Sequence, residues 1–110
     1  MLIHYINYQA LTNPVVRFIS IADGKQWDNV NSVMSYTPTY ANTAVALTEN
    51  ANINGIPVTI PAAMPGGDYD MIFYDAASPA NSDAFTECFR IHWTGKNLIG
   101  MPIPLPLKTV

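Results

Sequence analysis

Hydrophobic and polar residues alternate with a period of two in several short stretches of this chain, which is the pattern of half-buried β-strands. The stretch from residue 84 to 93 shows it most clearly, with Phe89, Ile91 and Trp93 on the side expected to face the core. No stretch has the 3.6-residue periodicity of a capped helix, so we expect only one or two helical turns. Further strands are predicted at 15–22, 33–36 and 43–49.

The stretch IPVTIPAAMPGGDYDMIFYD, residues 56–75, lies at the centre of the predicted fold. Val58 and Ile60 occupy alternate positions as in a short strand, and a Pro- and Gly-rich corner follows at 61–67. Residues 69–74 are almost all large and apolar, and such a run belongs in the middle of a sheet covered on both faces. We therefore predict an all-β fold, a single β-sandwich with Ig-like or jelly-roll topology and extended terminal arms.

Turn residues divide the chain further. Asp23-Gly24 predicts a hairpin with a type I′ turn, in which both central residues have positive φ. Asn13-Pro14 interrupts the N-terminal segment, because proline cannot donate to a sheet ladder. The resulting division is an N-terminal arm or edge strand at 1–14, a β-sandwich domain at 15–97 and a Pro-rich apolar C-terminal arm at 98–110.

The composition narrows the classes of function. Charged residues make up 12% of the 110 residues, about half the usual share, so Asn, Thr, Ser and Tyr must form much of the surface. Such a surface suits a protein packed against neighbours, but an exported or Asn-rich protein would have the same composition. The net charge of −3 and the scattered cations argue against a nucleic-acid partner.

Neither a membrane span nor a signal peptide is recognisable, so we expect synthesis in a cytoplasm and no membrane partner. The single Cys88 cannot form an internal disulfide.

Candidate catalytic or metal-binding groups are few. His4 and His92 have no Cys, Asp or Glu at a metal-ligand spacing. Cys88 and His92 share a strand face but are separated by about 13 Å along it, too far for a Cys-His pair. Asp68 and Asp70 are expected to keep an exposed face soluble. The sequence therefore predicts no enzyme, no cofactor and no catalytic or metal site.

The aromatic residues leave two interpretations open. Their flat rings could form a sugar-binding platform, but Trp27 and Tyr69 are more simply explained as core residues. The platform would consist of Trp27, Tyr36, Tyr40, Tyr69 and Tyr74.

The C-terminal segment LIGMPIPLPLKTV differs from the rest of the chain, because prolines alternate with large apolar residues. This excludes a helix and a central strand and favours an extended arm. The arm could wrap its own domain, or it could lie on another subunit, where prolines reduce the entropy lost on docking. The predicted partner-binding residues are Leu98, Ile99, Met101, Ile103, Leu105 and Leu107, followed by Leu2, Ile6 and Tyr8 near the N-terminus.

Four stretches resemble a small β-sandwich protein of tailed bacteriophages and prophages. They are VVRFISIADGKQWDN, TAVALTEN, IPVTIPAAMPGGDYDMIFYDAASPANSD and FRIHWTGK, which together span residues 15–96. In that family a strand and Asp-Gly turn lead to a Trp, and a Pro- and Gly-rich hairpin precedes a final strand ending near a Trp. These are turn and core signatures, and the arm after Lys96 is not part of them.

The resemblance implies a virion structural protein made in the host cytoplasm. We expect a capsid cement or decoration protein on the capsid surface that bridges neighbouring copies of the major capsid protein, with a homotrimer as a natural oligomer. A tail or baseplate module, or a host-glycan-binding module, is the alternative.

Overall fold

The computed structural model describes residues 2–3, 14–46, 56–75 and 88–105. These residues are nearly all-β, as predicted, with a single 3₁₀ turn at Tyr40–Thr43. The strands are β1 Leu2–Ile3, β2 Pro14–Ser20, β3 Gln26–Asp28, β4 Val33–Ser35, β5 Val45–Ala46, β6 Ile56–Pro57, β7 Gly67–Asp75, β8 Cys88–Trp93 and β9 Ile103–Leu105.

Seven of these strands form one antiparallel sheet in the order β4-β3-β2-β7-β8-β9, and β5 pairs with the start of β2 on the same side as β3. β1 and β6 form a second, two-stranded sheet. The longest ladder joins β2 to β7 from Pro14↔Asp75 to Ser20↔Tyr69. The predicted central strand therefore lies in the middle of the main sheet.

The two faces of β7 explain why residues 71–73, in the middle of the strand, are apolar without interruption. Tyr69, Met71 and Phe73 belong to the main hydrophobic core, which also contains side chains of β2, β3 and β8. Ile72 points to the opposite face and is also fully buried. Where the strand is covered on both faces, as at residues 71–73, no position favours a polar side chain, whereas Asp68 and Asp70 lie on the part of the outer face that remains accessible.

The predicted core positions of β8 are confirmed, with Phe89 and Ile91 buried and Trp93 packed against the core. Opposite this face of the sheet, residues 58–64 contribute Val58, Ile60 and Met64. The predicted strand at Val58 and Ile60 is wrong, because β6 ends at Pro57 and these two side chains pack from irregular backbone. A side chain can be buried without its backbone pairing in a sheet. The alternation of Val58 and Ile60 therefore indicated burial of their side chains but not strand pairing.

The β2–β3 hairpin forms where it was predicted, but with a different turn. Ser20 N–H donates to Lys25 O, and Gly24 N–H donates to Ser20 O, which encloses a four-residue loop. Gly24 has a φ of 75°, whereas Asp23 is not among the residues with positive φ. A four-residue loop requires left-handed geometry only at its last position, so the type I′ prediction is wrong.

Candidate functional site

The C-terminal segment returns along its own sheet. Thr94 N–H donates to Asn97 O at 2.9 Å, which reverses the chain directly after β8. Ile99 N–H then donates to His92 O at 2.9 Å, and β9 pairs antiparallel with β8 through Arg90↔Ile103 and Cys88↔Leu105. The described part of the predicted arm is therefore an edge of the main sheet.

Three of the predicted partner-binding side chains point largely into solvent. Met101 is 84% exposed, Ile99 62% and Ile103 48%. We call Ile99, Met101 and Ile103 the C-terminal strip. Leu98 is half-buried and packs against the core, and Leu105 is half-buried in β9. Large apolar side chains at alternate positions on a surface are typical of a contact that another molecule covers.

The remaining predicted contact residues are less informative. Leu2 lies in β1 opposite Pro57. Ile6, Tyr8 and Leu107 lie outside the described residues.

Within the described residues no strand pairs with the outer edge of β9, and a proline modifies this free edge. Pro104 is opposite Phe89, and because proline has no N–H this pair must be of the non-hydrogen-bonded type. The inward hydrogen bonds are therefore made by Ile103 and Leu105, and Pro104 directs its carbonyl oxygen toward the free edge. An edge without this N–H is a poor template for another strand, so a partner would bind the side chains of the C-terminal strip rather than extend the sheet.

Two polar pairs join β7 to β8 on the sheet face opposite the main core. Arg90 Nε donates to Asp70 Oδ1 at 3.1 Å, and His92 Nδ1 lies 2.6 Å from Asp68 Oδ1. These pairs contribute little to stability because they are partly exposed. Within the described residues, no group of three or more His, Cys, Asp or Glu could hold a metal ion.

Cys88 and His92 are not brought together. Cys88 is buried and lies opposite Ile72 in the β7–β8 ladder, whereas His92 lies opposite Asp68. Three residue pairs of the ladder lie between Cys88 and His92, and His92 Nδ1 contacts the Asp68 carboxylate instead. The arrangement at β8 therefore offers no Cys-His pair for nucleophilic catalysis.

A carboxylate organises the loop between β3 and β4. Asp28 Oδ1 accepts hydrogen bonds from Asn31 N–H at 2.9 Å and Val30 N–H at 3.0 Å, while Asn31 Nδ2 donates to Asp28 Oδ2. The backbone N–H of Asn31 is the main reason why the pKa of Asp28 is below its ordinary value. This carboxylate has a structural role, since it satisfies the donors of a tight turn that contains Ser32 with a φ of 53°.

The described members of the proposed aromatic platform, Trp27, Tyr36 and Tyr69, do not share one exposed face. Trp27 and Tyr69 are buried in the core, and burial raises the pKa of the Tyr69 phenol, whose O–H donates to Pro65 O. Tyr36 is 65% exposed, and Lys25 Nζ lies 5.1 Å from its ring centroid. The side chains of Tyr40 and Tyr74 are not described.

A groove beside Trp93 was missed in the sequence analysis. Residues 58–60, Trp93 and residues 96–98 line an open groove of about 440 Å³. The available signal was a tryptophan at the end of a strand directly before the turn TGKN, since a side chain at a strand end is only partly covered by the sheet.

No family model matches the chain, and no curated protein or solved structure matches it significantly. The resemblance to bacteriophage proteins therefore rests on the residue pattern alone. Among the described residues, there is no helix with the length and hydrophobicity needed to cross a membrane.

Proposed function

We propose that this chain is a structural protein of a tailed-phage virion, a capsid cement or decoration protein that bridges neighbouring capsid subunits through its C-terminal strip. The observation that carries the proposal is the exposure of Ile99, Met101 and Ile103 beside a sheet edge that proline protects. The resemblance of residues 15–96 to phage β-sandwich proteins supplies the virion setting.

The strip is suited to many weak contacts rather than to one strong contact. Covering a side chain such as Met101 on a partner contributes on the order of 1–2 kcal/mol, so three such residues support only modest affinity per copy. On a shell, each decorating protein is held by several such contacts at once, and their combined strength exceeds that of any single one. A trimer over a local threefold axis would present three strips.

Immunogold electron microscopy of tailed particles from the source of this sequence tests the setting. An antibody against the chain is expected to label the heads. Label confined to tails would replace the capsid proposal with a tail or baseplate role, and particles without label would refute a virion function.

Substitution tests the strip more cleanly than truncation, because removing residues 98–110 would also remove β9 from the sheet. We expect the double variant Ile99→Ser, Met101→Ser to remain folded, because both side chains are largely exposed. It should no longer cosediment with phage particles from which the wild-type protein is missing.

The matched control is the double variant Val30→Ser, Tyr36→Ser. It changes two apolar side chains elsewhere that are also largely exposed, at 69% and 65%. This control should cosediment like the wild type. Equal losses in the two double variants would contradict a specific role of the C-terminal strip.

A further inference from the structure

The groove beside Trp93 has a rigid frame. Thr94 Oγ1 accepts hydrogen bonds from Asn97 N–H at 2.9 Å and Lys96 N–H at 3.2 Å, which stabilises the turn that carries the Lys96 and Asn97 side chains. Leu98, next in the chain, forms an isolated antiparallel β-bridge with Trp93, and its side chain packs against the core. The side of the groove formed by residues 96–98 is thus held by hydrogen bonds of the turn itself.

The indole ring is held in a defined position. Trp93 Nε1 donates to Met64 O at 2.8 Å, and the ring packs against the core while it also lines the groove. Its hydrogen-bonding group is therefore satisfied internally, so that only apolar ring surface is presented to a ligand. Gly67, opposite Trp93 in the β7–β8 ladder, brings no side chain to compete for that surface.

Polar groups surround this apolar surface. The Thr59 hydroxyl, the Asn97 carboxamide and the Lys96 ammonium make no hydrogen bond or ion pair with the described part of the chain. The lining residues include one cation and no acidic side chain. Sites of this kind orient a ligand with a few polar groups around an apolar wall, and the charge favours an anion.

We propose that the groove binds one ring of an acidic saccharide. The C–H face of a pyranose would pack on the Trp93 indole, its hydroxyls would exchange hydrogen bonds with Thr59 and Asn97, and a uronic-acid carboxylate would pair with Lys96. An apolar peptide side chain would fill the groove but would make no use of these three exposed polar groups at its rim. This site does not depend on the C-terminal strip or on attachment to a capsid.

NMR titration of the full chain tests the proposal, because the indole N–H resonances of its two tryptophans can be followed separately. Tetragalacturonic acid should shift the Trp93 indole N–H resonance saturably, with a Kd of about 1 mM, as suits a shallow open groove. The Trp27 indole, which is 1% exposed and donates to Asn29 Oδ1, should not move. Maltotetraose, a neutral probe, should bind about tenfold more weakly, because it cannot pair with Lys96.

Variants at exposed positions complete the test. Lys96→Ala should weaken binding of the acidic probe about tenfold and leave the neutral probe unaffected, whereas Asn97→Ala should weaken both. Lys25→Ala, which removes a cation outside the groove, is the control and should bind like the wild type.

Three outcomes would overturn the proposal. The first is that neither saccharide shifts the Trp93 resonance at about 10-fold above the expected Kd, and the second is that the shifts persist unchanged in both Lys96→Ala and Asn97→Ala. The third is that the peptide MPIPLPLKTV shifts the Trp93 resonance and neither sugar does. The last result would assign the groove to the C-terminal segment of a second copy.

Discussion

The indole N–H of Trp93 donates a hydrogen bond to the carbonyl oxygen of Met64, 2.8 Å away, and so ties the end of β8 to the corner that covers the core. In Trp93→Phe the Met64 carbonyl loses this donor, and part of the ring volume is lost as well. We expect a loss of about 1–3 kcal/mol in the free energy of unfolding, measured by urea denaturation. A loss below about 0.5 kcal/mol would show that water replaces the indole without cost.

Gly66 lies where no side chain fits. A Cβ at this position would come within 2.9 Å of the Thr94 backbone carbon and oxygen, so Gly66→Ala should destabilise the fold by about 1–3 kcal/mol. Gly24 provides a contrast, since its φ is +75° and a Cβ there would meet nothing within 4 Å.

The two glycines can therefore be distinguished by asparagine, which tolerates left-handed geometry but not a steric clash. Gly24→Asn should be close to wild type in thermal denaturation, whereas Gly66→Asn should be at least as damaging as Gly66→Ala. Equal effects at the two positions would contradict the close approach of Gly66 to Thr94.

Asp28 should make the stability of the fold depend on pH. A carboxyl whose pKa is lower in the folded chain than in the unfolded chain stabilises the fold above the unfolded pKa, and this contribution is lost as the pH falls through the folded-state pKa. The denaturation midpoint of the wild type should therefore fall more between about pH 5 and 3 than that of Asp28→Asn.

Asn31→Ala serves as the comparison for Asp28. It removes the side-chain donor but keeps the backbone N–H that has the largest effect on the pKa, so its dependence on pH should lie between the other two. Parallel curves for wild type and Asp28→Asn would contradict the assignment.

Pro104 should limit self-association at the β9 edge. Pro104→Ala adds an N–H that points away from β8, which would allow another strand to pair there. Sedimentation velocity over a concentration series should reveal larger species than in the wild type. Ile103→Ala is the control, because its N–H already bonds to β8 and the free edge is unchanged. If both variants formed larger species, the association would result from loss of a side chain and not from the new N–H.

Much of the main sheet was predictable because period-two alternation follows directly from strand geometry. The assignments of β2, β7 and β8, and of Phe89 and Ile91 to the core, needed no knowledge of neighbours. The position of the turn at Asp23-Gly24 was predicted correctly, but its type was not. The type follows from the loop length, which depends on which residues of the flanking strands pair.

The candidate sites were less predictable. Proline alternation after residue 100 indicated an extended segment, but whether that segment lay on its own sheet or on a partner could not be derived from local chemistry. Likewise, Trp93 was correctly expected against the core, yet the groove beside it depends on residues 58–60, which are more than 30 positions away in the chain.

Local periodicity, turn residues and proline chemistry determined three features of the described chain, because each is a property of neighbouring residues. The chain is nearly all-β, residues 69–74 lie in a central strand, and residues 103–105 are extended. Only the tertiary structure decided that β9 pairs with β8, that Ile99, Met101 and Ile103 remain exposed and that Trp93 borders a groove. These features depend on which distant segments meet, and in the described chain that is decided by packing around one shared core.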